Sequence, residues 1–156
     1  MFRRKGFGED KKLGEMEFGK ILVPVSGSEI DEEAIRLACR LAKKNKSKIY
    51  VVSVITVKRA LPLDAEIEPE IQKAEDILDR MERVAEEQDY EVETVLLQAR
   101  EVGPSLIDEA RERGVGLILM GVKYKRRLGQ FSLGSIVLYI LKNAPCGVIL
   151  YQQYTS

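Results

Sequence analysis

Lys123, Lys125, Arg126 and Arg127 place four cations within five residues, between Gly121 and the pair Gly134-Ser135. The apolar run that begins at Ser135, SIVLYIL, reads as a helix. Gly134-Ser135 therefore lies at a helix start, where unpaired backbone N–H groups and the positive end of the dipole make an anion site. Phosphate is the anion that such a loop suits. A solvated surface loop accounts equally for a basic run, and a plain N-cap accounts for Gly134-Ser135, although a cap and an anion site use the same donors.

Other chemistries are excluded more firmly. The chain has no histidine, which removes Ser-His and Cys-His arrangements and the commonest metal ligand. Its two cysteines, Cys39 and Cys146, form no C-x-x-C pair and sit in apolar sequence, as two buried free thiols of a reducing cytosol would. A zinc site finds no support in their spacing. Lys+Arg and Asp+Glu each count 25 in 156 residues, so the basic excess of a nucleic-acid binder is missing. No stretch approaches the roughly 20 apolar residues that span a bilayer. Residues 1–19 are basic and glycine-containing, without the apolar core of a signal peptide, and read as a mobile leader to a domain over residues 20–156.

The elements that must position the basic loop alternate. Strands are expected at Lys20–Val25, Lys48–Val57, Glu91–Leu97, Val115–Met120 and Cys146–Tyr151, as short runs rich in apolar and branched residues. Between them, apolar residues recur at helical spacing. One helix follows Ser28, a candidate N-cap with Glu29, Asp31, Glu32 and Glu33 in its first turn. A second spans about Ile67 to Gln88, a third opens at Gly103-Pro104-Ser105, and a fourth runs from about Gly134 to Asn143. Such alternation implies an α/β fold, a five-stranded parallel sheet with helices on both faces and right-handed crossovers. Ligands of these folds sit outside the carboxyl ends of the strands where the strand order reverses, commonly beside the first and fourth strands. The segments that matter are then Val25-Ser26-Gly27-Ser28, the end of the second strand and the loop after Met120.

On KILVPV followed by G-S-E, on VGLILMG and on LGSIVLYILKNAPCGVIL, the chain resembles the universal stress protein family over about Lys20 to Tyr151. The resemblance implies a Rossmann-like sheet of strand order 3-2-1-4-5, similar to the adenine-nucleotide alpha hydrolases. Nucleotide-binding members of that family carry Gly, two residues, Gly, nine residues, then Gly-Ser or Gly-Thr. Gly121 matches the first glycine and Gly134-Ser135 the last element, while Tyr124 stands at the middle glycine. A left-handed conformation at Tyr124 would cost roughly 1–2 kcal/mol. Ser26 stands where the family usually has an aspartate after the first strand. By resemblance, Pro24, Val25 and Ser26 line the site, Val54 meets an adenine through its backbone, and Gly121, Val122, Lys123, Tyr124, Lys125, Arg126 and Arg127, with Gly134, Ser135 and Ile136, hold ribose and phosphates.

The resemblance implies a regulatory module of the stress response that takes an adenine nucleotide, ATP or AMP, without a required metal. The alternatives are a family member that acts by dimerisation and protein interaction alone, and an enzyme in which SGSEID resembles the S-G-G-x-D-S loop of ATP pyrophosphatases. No acid, base and nucleophile constellation stands out, so no robust turnover is expected. The apolar strand Cys146–Tyr151 is expected at a sheet edge, paired across a homodimer. No nucleic acid, no membrane and a cytoplasmic location complete the expectations, together with a protein partner whose identity is open.

Overall fold

The computed structural model describes residues 18–123, 125–127, 130–132 and 134–153. Five strands form one parallel sheet: β1 (Lys20–Pro24), β2 (Lys48–Thr56), β3 (Glu93–Ala99), β4 (Leu117–Val122) and β7 (Gly147–Gln152), in the order β3-β2-β1-β4-β7. This is the expected 3-2-1-4-5 order. A two-stranded antiparallel hairpin, β5 (Lys125–Arg127) with β6 (Gln130–Ser132), stands apart from it. The helices are α1 (Glu29–Asn45), α2 (Glu68–Glu87), α3 (Val102–Arg113) and α4 (Ser135–Asn143).

Strict alternation along the central strand explains why the sheet is covered on both faces. Ile21 and Val23 point into one core with Ile35, Ala38, Met81 and Leu119, under α1 and α2. Leu22 points into the other with Leu106, Ile118, Val137 and Ile140, under α3 and α4. All three β1 side chains are fully buried, as a strand at the centre of a doubly covered parallel sheet requires. The edge strands β3 and β7 are only partly buried. Among the described residues no helix is long and apolar enough to cross a membrane.

Three expected strands begin too early. β3 starts at Glu93, not Glu91, β4 at Leu117, not Val115, and β7 at Gly147, not Cys146. Val115 is apolar and buried, but its N–H donates to the Ala110 carbonyl across the end of α3, where Gly114 takes a positive φ of 67°. That residue closes a helix end. The shift carries Gly121 and Val122 into β4. The segment after β4, expected as an irregular loop, contains the β5–β6 hairpin, with Arg126 opposite Phe131. A three-residue ladder rich in cations carries too little alternation to read as strand. Of the expected leader, residues 1–17 lie outside the described residues. Phe18 packs against the first core and the Gly19 carbonyl accepts the Lys48 N–H at 2.9 Å.

Candidate functional site

Beyond Pro24 the chain leaves the sheet toward α1, and beyond Val122 it leaves toward the hairpin and α4 on the other face. That divergence opens a cleft of about 660 Å3 at the carboxyl end of the sheet. Pro24, Val25 and Ser26 line it from the end of β1 and the turn that follows, Val54 from β2, Gly121, Val122 and Lys123 from the end of β4, and Gly134, Ser135 and Ile136 from the start of α4. Ten of the expected residues therefore converge on one place. Lys125, Arg126 and Arg127 form β5, beside the cleft in sequence, and Tyr124 lies outside the described residues.

The two expected glycines have different physical reasons. A Cβ on Gly121 would stand 2.7 Å from the Ile30 carbonyl oxygen and 3.0 Å from its carbonyl carbon. Gly121 is thus where the end of β4 and the beginning of α1 touch backbone to backbone. Gly134 has open space around it but takes φ 86° and ψ 158°, a conformation that is close to glycine-only. It is the N-cap of α4, supplies no side-chain cap, and is followed by a first turn without acids. The first N–H groups of α4 carry no capping side chain, and Ser135 and Ile136 are exposed on the cleft. Lys123, an exposed residue, lines the same cleft.

The β1 turn is arranged in the opposite sense. Asp31, only 4% exposed, reaches back so that its Oδ2 accepts the backbone N–H groups of Ser26 at 2.8 Å, Gly27 at 2.9 Å and Ser28 at 3.1 Å. Gly27 takes φ 104°, which lets the donors turn inward. On its other side the Gly27 carbonyl accepts the Arg80 guanidinium (Nη2) at 2.6 Å. Arg80 Nε lies 3.4 Å from a Glu32 carboxylate oxygen, close enough for charge attraction although not aligned as a hydrogen bond. Ser26 itself is exposed on the cleft, and Val25 is buried, its N–H donating to the Val52 carbonyl at 2.9 Å. Val54 is half-buried against the second core, so its side chain packs while its position borders the cleft.

Several cleft residues escape sequence reasoning. Ser53 is buried to 5% exposure and lines the cleft from β2; a small hydroxyl in the middle of the apolar run KIYVVSVITV is the signal for it. Glu70 and Lys73 from α2 and Val102 and Leu106 from α3 complete the walls, and nothing local marks them, because the approach of their helices is tertiary. Asp31 reads from sequence only as a helix-dipole acid, yet the Ser-x-x-Asp spacing from Ser28 is that of a capping box. Among the described residues no group of three or more His, Cys, Asp or Glu side chains is arranged to hold a metal ion. Cys39 is buried as expected, whereas Cys146 is only partly so.

A doubly wound parallel sheet with a ligand-sized cleft where its strand order reverses defines a Rossmann-like α/β domain. The chain belongs to the universal stress protein family, whose family model matches residues 17–152. It is 27% identical over 146 residues to universal stress protein MJ0531 of Methanocaldococcus jannaschii, covering 90% of this chain and 85% of that protein. Among solved structures it is similar to a universal stress protein from Archaeoglobus fulgidus in complex with dAMP, with a TM-score of 0.69, 23% identity, and coverage of 86% of this chain and 98% of that one. It is also similar to a universal stress protein family protein from Arabidopsis thaliana with AMP bound, with a TM-score of 0.60, 13% identity, and coverage of 87% and 92%. At those identities the structural likeness establishes the fold.

Proposed function

We propose that this chain is a regulatory module that binds an adenine nucleotide in the cleft between β1 and β4, with its phosphate at the start of α4. The observation that carries this reading is the α4 N-terminus: glycine-led, free of a side-chain cap and of first-turn acids, and beside Lys123 on a cleft of about 660 Å3. That volume falls within the range of small-molecule sites. The Archaeoglobus and Arabidopsis proteins that share the fold were solved with dAMP and AMP, which supports an adenine nucleotide and leaves ATP and AMP as candidates. Lys125, Arg126 and Arg127 add positive charge in the sequence directly after Lys123, and Ser26, in place of an acid, asks for no metal bridge. Binding shifts an equilibrium with a partner rather than driving turnover. The module works in the cytoplasm, as a homodimer paired through Cys146–Tyr151.

A second reading, interaction without a nucleotide, draws on the outer face of α4, where Leu138 is 56% and Leu141 47% exposed. Apolar exposure of that kind favours a protein contact. The pyrophosphatase-like reading needs the N–H groups of the SGSEID turn for phosphate, and Asp31 occupies them. Calorimetric titration of ligand-stripped protein with ATP, AMP and cyclic nucleotides separates the first two readings. Saturable heat that is lost when Lys123 is changed to Ala, and when Lys125, Arg126 and Arg127 become Ala together, supports the nucleotide module. No binding of any nucleotide below millimolar concentration supports the interaction module.

A further inference from the structure

Two helix starts face the cleft, and their backbone donors are in different states. At the β1 turn the N–H groups of Ser26, Gly27 and Ser28 converge on one point, the geometry by which successive amides bind anions. That point holds Asp31 Oδ2. The carboxylate is buried, and Arg80 fixes the Gly27 carbonyl from the other side, so the turn is filled, held in place and negative. At the start of α4 the donors carry no such internal anion.

We infer that Asp31 determines ligand orientation: it is a built-in anion that closes the β1 turn to phosphate and directs a phosphate-bearing ligand's charged end to α4. The inference rests on the nucleotide reading of the cleft. A phosphate brought to the turn finds its donors already engaged and a like charge within a few ångströms, where repulsion in a partly desolvated cleft is strong. Asp31 lines the cleft and its carboxylate only accepts hydrogen bonds, so this end suits an uncharged donor such as a hydroxyl. Phosphate exclusion here is a property of one side chain on α1, separate from the cations after β4.

Backbone amide NMR of the full chain, titrated with inorganic pyrophosphate, tests this. In the wild type the Ser135 and Ile136 amides are expected to shift to saturation while those of Ser26, Gly27 and Ser28 stay still. In Asp31→Ser the three donors lose their internal anion, and their amides are expected to respond, with apparent affinity at that turn raised by about tenfold or more. Shifts at Ser26–Ser28 in the wild type overturn the inference, a result that needs no variant to fold. Silence there in a folded Asp31→Ser protein overturns it as well. Silence at Ser135 and Ile136 in both proteins, with the turn opening in the variant, overturns the nucleotide reading and the ligand direction but keeps the closed turn, so the two failures are told apart.

Discussion

Changing Gly121 to Ala tests whether that glycine serves packing or ligand approach. The added Cβ would lie 2.7 Å from the Ile30 carbonyl oxygen, 3.0 Å from its carbon and 3.1 Å from its Cγ1. The first two are main-chain atoms at the second residue of α1, so no rotamer change relieves them. Either α1 or the end of β4 must move by a few tenths of an ångström, and both are tightly held: Ile30 is 6% and Val122 4% exposed. Forcing one carbon into such a contact costs about 1–3 kcal/mol. For a domain of this size each kcal/mol lowers Tm by about 2–4 °C, giving a drop of roughly 2–12 °C. In urea, the midpoint is expected to fall with an unchanged slope, since the surface exposed on unfolding is the same.

Gly134→Ala is the control. Its penalty is conformational, about 1–3 kcal/mol if φ stays at 86°, but with open space around it the N-cap can rotate and shed part of that cost. Gly134→Ala is therefore expected to lose less stability than Gly121→Ala and to weaken nucleotide binding by re-aiming the α4 donors. A Gly121→Ala protein within about 0.5 kcal/mol of wild type would refute the packing argument. If that protein also failed to bind nucleotide, the glycine would be there for the ligand.

Three further outcomes are expected. Hydrogen bonding to Lys48 holds the Glu93 carboxylate below its ordinary value of 4.5, so its contribution is present above that value and lost as pH falls through the lower folded one; Glu93→Gln should flatten the acid limb of stability against pH, followed by denaturant titration, and an unchanged limb would count against the pair. Burial pushes the Cys39 thiol up to about 11 and also raises that of Cys146, which is less buried; iodoacetamide at pH 8 should label Cys146 first and Cys39 only on unfolding, as peptide mass spectrometry would show, and prompt labelling of Cys39 would contradict its burial. Strand β7 pairs β4 on one side and has no neighbour on the other among the described residues; sedimentation equilibrium at micromolar concentration should give twice the 17.6 kDa chain mass, and a monomer would remove the proposed strand pairing.

The sheet order and helix placement are legible in the sequence because buried strands and capped helices announce themselves locally: KILVPV is apolar after its leading lysine, and Ser28 precedes a run of acids and then a 3.6-residue stripe. The strand ends are less so. Val92 and Val115 are as buried as strand residues, at 7% and 6% exposure, but they belong to the turns that enter β3 and β4, and hydrophobicity cannot tell a packed turn from a strand. The α2 and α3 walls of the cleft are invisible locally, since Lys73 and Leu106 reach it only through the packing of whole helices.

The same distinction bears on how much the glycine spacing says about a ligand. Gly121 is required where β4 meets α1, whatever occupies the cleft, and Gly134 is required to turn the chain into α4. Both needs belong to the fold, so the retained spacing between them follows from the architecture and would persist in a member that binds nothing. What distinguishes a binding member must lie beyond those two glycines: in the uncapped α4 donors, in Lys123, and in Asp31, which caps α1 and in doing so fills the β1 turn. The first two invite a negative charge, and the last opposes it at the β1 turn. An inert surface has no need of that division of charge across one cleft, whereas a site that orients a ligand with one anionic end and one hydroxyl-bearing end does.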